Sequence, residues 1–131
     1  MPPAPPPRPL RILCAEDDPV IAQAVKRALE TAGCVVDLVG DGAQALERLS
    51  ADVRYYDVLV TDHEMAEFSG LGLVAKLRDT GFVGQILVFS AQLTEADREV
   101  YRALAVDRIF DKPAGFKELI ETIRTLGAHL G

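Results

Sequence analysis

The stretch LVTDHEMAEFSG, residues 59–70, decides how the fold is read. It begins as a buried strand would, apolar at successive positions, and breaks into charge at Asp62. Aspartate often caps a helix, yet the next helix-start signal, Ser69 before Gly70, comes seven residues later. Asp62 therefore ends a strand without starting a helix. What it faces depends on the polar groups that other strands deliver to the same edge.

Four other apolar runs have the same form: LRILCA (10–15), CVVDLV (34–39), QILVFS (85–90) and DRIFDK (107–112). Each of the five is followed by a longer segment with helical spacing and a helix-start signal. In the first such segment Asp18 can accept from the free backbone donors and Pro19 suits the first turn. Ile21, Ala24, Val25, Ala28 and Leu29 form one apolar stripe, and Gly33 ends the helix. Asp41 before Gly42 and Thr94 three residues ahead of Asp97 repeat the capping chemistry. Runs that are apolar on both faces belong to strands covered by helices on both sides, which favours a parallel sheet. The expectation is an α/β, doubly wound sandwich built from five βα units.

Composition sets the bounds. The 131 residues fit one domain, and no apolar run approaches the ~20 residues of a membrane span. The start MPPAPPPRPLR lacks the apolar centre of a signal peptide, so a soluble, cytoplasmic protein with no membrane partner is expected. A net charge of −6 argues against direct nucleic-acid binding. Six of the eight prolines fall in residues 1–9, which read as an extended proline-rich tail ahead of a folded domain over 10–131. Cys14 and Cys34 sit in apolar runs and read as buried hydrophobes. His63 and His129 have no metal-ligand spacing and read as incidental.

In a doubly wound sheet, ligands bind beyond the carboxyl ends of the strands. Polar residues collect there: Glu16, Asp17 and Asp18 after the first run, Asp62 after the third, Ser90 on the fourth and Lys112 on the fifth. Asp18 is needed as a cap, which leaves Glu16, Asp17 and Asp62 to share one crevice. Like charges ~4 Å apart repel by ~4 kcal/mol at an effective dielectric of 20, so a cation among the oxygens is expected. Magnesium suits such an all-oxygen set, and manganese can substitute. A divalent ion together with Lys112 formally balances the three carboxylates. An incoming phosphoryl group would meet matched charge, and aspartate is a known covalent acceptor of it.

These residues resemble the receiver domain of two-component response regulators over about residues 10–127. The resemblance rests on AEDDP, on Asp62 with Met65 and Gly70 at family spacing, on FSA with Ser90, and on DKP with Lys112 and Pro113. It implies a flavodoxin-like five-stranded parallel sheet in the order 2-1-3-4-5. It also implies that Asp62 accepts a phosphoryl group from a sensor histidine kinase or a histidine phosphotransfer protein. By the same resemblance Asp17 is a direct magnesium ligand, Glu16 acts largely through water, and Glu64 offers its backbone carbonyl. Lys112, the Ser90 hydroxyl and the Ala91 amide would contact the bound phosphoryl oxygens. The Lys112–Pro113 bond would be cis.

The chain departs from the family pattern at several positions. Ala66 stands where proline commonly follows the Met, and His63 replaces a usual apolar neighbour of the acceptor. Glu64 and Gln92 are placed to tune hydrolysis. Ile109 occupies the switch position where many receivers carry Tyr or Phe. Phe110 lies one residue late, on the opposite strand face. The expected function is a single-domain response regulator or phosphorelay intermediate with binding as its output, and no turnover of a separate substrate. A homodimer through about residues 94–126 is one form that output can take. The alternatives are a degenerate receiver that binds partners without phosphorylation, and a dehalogenase-type phosphatase, which the order of motifs disfavours.

Overall fold

The computed structural model describes residues 8–130, with side chains through residue 127. Five strands alternate with five helices. They are β1 (Arg11–Ala15), α1 (Pro19–Thr31), β2 (Val35–Val39), α2 (Gly42–Ala51) and β3 (Val58–Thr61), then α3 (Gly70–Arg78), β4 (Gln85–Ser90), α4 (Glu95–Ala103), β5 (Arg108–Asp111) and α5 (Phe116–Leu130). All strand pairs are parallel, in the order β2-β1-β3-β4-β5. Most of the proline-rich stretch, residues 1–7, and the side chain of His129 lie outside the described residues.

The continuous apolar runs have a direct structural meaning. Successive side chains of a strand point to opposite faces, and both faces here are covered. Leu13, Leu59, Ile86 and Val88 pack with Leu49 of α2, Leu73 and Leu77 of α3, and Tyr101 of α4. Ile12, Val60, Leu87 and Phe89 pack on the other side with Val25 and Leu29 of α1 and Leu119 and Ile123 of α5. Ile109 and Phe110 follow the same rule: Ile109 packs against the first cluster and Phe110 is buried in the second. The two residues therefore cannot exchange roles.

Local capping places the starts of α1 to α4 where the sequence reading put them. The Asp18 carboxylate accepts from the amides of Val20 and Ile21, Asp41 from Gln44, and Ser69 from Gly72. Thr94 and Asp97 form a reciprocal capping box at the start of α4. At the other end of α4 the Arg78 guanidinium donates to the carbonyls of Leu104 and Ala105 at 2.6 and 2.7 Å. Ala105 holds a left-handed φ of 60° there, a conformation that a Cβ disfavours. At the amino-terminal rim, the Arg8 fork grips both carboxylate oxygens of Asp57 at 2.7 and 2.8 Å, and Asp57 also accepts from the Arg11 amide.

Replacing Ala105 with glycine relieves the left-handed backbone at no cost in burial, since the residue is exposed. Ala105→Gly is expected to raise the unfolding free energy by about 1 kcal/mol, read from the urea midpoint at unchanged m-value.

Candidate functional site

Register brings the polar strand ends together. Ala15 of β1 pairs with Thr61 of β3, and the Asp62 amide donates to the Ala15 carbonyl at 2.9 Å. Glu16 and Asp62 thus leave adjacent central strands side by side. On the other flank Ser90 pairs with Asp111, and the Lys112 amide donates to the Ser90 carbonyl at 2.9 Å. The Lys112–Pro113 peptide is cis.

Glu16, Asp17 and Asp62 each offer a carboxylate oxygen, and these atoms lie within 4.8 Å of one another. Glu16 and Asp62 are 6% and 8% exposed, whereas Asp17 is open to solvent. The Lys112 ammonium reaches into the group, paired with Glu16 and 3.4 Å from Asp62 Oδ2. Burial pushes the Glu16 carboxyl up to about 7, with Lys112 opposing the rise and Asp62 adding to it. Burial also works against the Lys112 charge, yet Glu16 and Asp62 hold its pKa above the ordinary lysine value. One cation thus serves two buried anions, and a third anion stands at the mouth.

Such a set fits a hard divalent cation: every donor is oxygen, one carboxylate is reachable from solvent, and Lys112 alone does not balance the charge. Next to it Asp62, Glu64, Ser90, Ala91, Gln92 and Lys112 line a cleft of about 110 Å³. Ser90 is buried at its back, while Glu64, Ala91 and Gln92 are exposed at its rim. All residues singled out for metal or phosphoryl contact therefore border one crevice, and Ile109 lies apart from it, half-buried against the first apolar cluster. The loop after Asp62 is held by its backbone: the Ala66 carbonyl accepts from Phe68, and the His63 carbonyl accepts from Gly70. An open groove of about 790 Å³ between β5 and α5 is lined by none of these residues.

Sequence spacing left His63 without a partner, and the fold gives it two. Its Nδ1 lies 2.7 Å from the hydroxyl of Tyr101, and its Nε2 lies 3.5 Å from Asp97 Oδ2. Both partners are on α4, more than thirty positions away in the chain. The one available signal was Tyr101 itself, a residue with a hydroxyl at a core position of an otherwise polar helix. Both cysteines are free, as expected, and burial pushes the Cys14 thiol up to about 12.

The response regulator receiver domain model matches residues 12–124. The chain is 35% identical over 118 residues to the transcriptional regulatory protein CutR of Streptomyces coelicolor, covering 90% of this chain and 54% of that protein. It is 34% identical over 117 residues to the response regulator MprA of Mycobacterium leprae, covering 89% and 50%. The chain thus spans about half the length of the curated relatives it matches. Among solved structures, the receiver domain of the Francisella response regulator 1452 superposes with a TM-score of 0.82 at 27% identity, over 93% of this chain and 99% of that one. A CheY-like receiver domain protein from Methanospirillum hungatei shares the fold, with a TM-score of 0.84 at 18% identity over 93% and 96% of the two chains.

Crowded carboxylates make a thermodynamic prediction. In divalent-free buffer Asp17→Asn should raise the unfolding free energy by about 1 kcal/mol, repulsion being screened at this exposed position. Millimolar magnesium should raise the melting temperature of the wild type and leave that of the variant nearly unchanged. Differential scanning calorimetry with and without the ion reads both effects.

Proposed function

The chain belongs to the response regulator receiver domain family, and on that premise we propose that it is a phosphorylation-controlled binding module whose acceptor is Asp62. The observation that carries this reading is the crevice where Asp62, Asp17, Glu16 and Lys112 converge beside Ser90. The donor is a phosphohistidine on a sensor kinase or a histidine phosphotransfer protein. An Asp62 carboxylate oxygen forms the new O–P bond as the P–N bond to the partner's imidazole breaks. The electron pair of the broken bond stays on that nitrogen.

Each residue of the crevice has a distinct task in this step. Asp17 and Asp62, with the Glu64 backbone carbonyl and with Glu16 through water, would hold magnesium or manganese, which would neutralise charge on the transferring group. Lys112 pairs with the phosphoryl oxygens, and near Asp62 it already occupies the place such a group would need compensated. The Ser90 hydroxyl and the Ala91 amide hydrogen-bond the same oxygens. Glu64 and Gln92 at the rim control access of water to the acyl phosphate. The gain lies in positioning and charge matching, which dominate phosphoryl transfer.

Output follows from partner binding, and residues 94–126 offer the surface for it, including contact with a second copy. Several charges on this face are already paired within the chain: Arg98 with Asp111, Arg102 with Glu95, and Arg124 with Glu121. A partner would therefore exchange existing ion pairs for new ones, which favours specificity over raw affinity.

Incubation with acetyl phosphate and magnesium should add one phosphoryl group to the wild type, seen by intact mass, and none to Asp62→Asn. Lys112→Gln should slow uptake by about a hundredfold. A wild type that stays unmodified under these conditions and with a phosphohistidine donor overturns the reading in favour of a phosphorylation-independent module.

A further inference from the structure

Ile109 is apolar and offers no hydrogen bond through which the state of the acceptor could pass to β5. A different polar chain leaves the acceptor. The His63 amide donates to Asp62 Oδ1 at 2.7 Å, the ring Nδ1 meets the Tyr101 hydroxyl at 2.7 Å, and Nε2 faces Asp97 Oδ2 at 3.5 Å. That Asp97 oxygen also accepts the Thr94 amide in the capping box that starts α4. One residue thus touches the acceptor, the core of α4 and its amino-terminal cap.

The environment makes these contacts consequential. Tyr101 is fully buried, and among the described residues its hydroxyl has His63 as its one hydrogen-bond partner. Breaking that bond strands a buried hydroxyl, so the two residues are strongly biased to move together. The surroundings are tight: a Cβ on Gly70 would collide with the Tyr101 hydroxyl and with the Asp62 carbonyl oxygen. Arg78 fixes the carboxyl end of α4, which leaves its first turns as the part free to respond.

We propose that His63 and Tyr101 form a relay that conveys the state of Asp62 to the first turns of α4. The inference rests on Asp62 being the phosphoryl acceptor. Acyl phosphate formation replaces an anionic acceptor for the His63 amide by a neutral oxygen, and charge-assisted bonds are about twice as strong as neutral ones. The His63 backbone shifts, its ring carries Tyr101 with it and draws away from Asp97, and the first turns of α4 loosen. His63 and Tyr101 are positioning residues: neither touches the phosphoryl group.

The test compares amide hydrogen exchange over Glu95–Ala103 before and after acetyl phosphate and magnesium, with intact mass recording the adduct in the same samples. In the wild type, exchange in α4 should speed up at least fivefold on modification. Tyr101→Phe and His63→Leu should take the adduct yet change by less than twofold. His63→Asn keeps a polar atom near the position of Nδ1 and should restore most of the response. If Tyr101→Phe does not fold, the contrast between His63→Leu and His63→Asn decides the question alone. An adduct with a wild-type-sized response in the variants, or an adduct on the wild type with no response in α4, overturns the relay. Failure of the wild type to form any adduct overturns the acceptor assignment instead.

Discussion

Repulsion among carboxylates is the constraint around which this domain is organised. Glu16 and Asp62 are buried on adjacent central strands with Asp17 beside them, an arrangement no stability argument would select. Lys112, delivered from the far side of β4, partly offsets the cost, and its reach depends on Ser90 and Asp111 being in register. The parallel order fixes that register through hydrophobic alternation on both faces, because a slip of one residue would turn every strand inside out. The apolar core thus enforces a polar geometry that the polar groups alone would reject.

That division of labour explains what could be read from the chain. The five βα units were legible because the strands are largely apolar at successive positions and four of the five helices start at a side-chain cap, both of which are local signals. Asp62 stood out because it ends a strand and has no helix within reach. Glu16, Asp17, Ser90 and Lys112 followed from their matching positions on other strands. The strand order itself came from the resemblance, since local patterning does not say which parallel strands are neighbours.

His63 shows where such reading stops. A single histidine beside an acidic residue has no spacing to interpret, and its partners lie on a helix whose rotation about its own axis is set by packing. Tyr101 reaches the loop after β3 because Gly70 leaves room for its hydroxyl. Three residues from three elements define this contact, and no window of sequence contains them. Ile109 illustrates the converse: strand alternation alone was enough to set it and Phe110 on opposite faces.

The clamp of Arg8 on Asp57 has a topographical consequence. Asp57 lies ahead of β3, so this bidentate pair fastens the polypeptide to the rim opposite the one that bears the acidic residues. A contact made at that rim and one made at the carboxyl ends of the strands would not compete for territory.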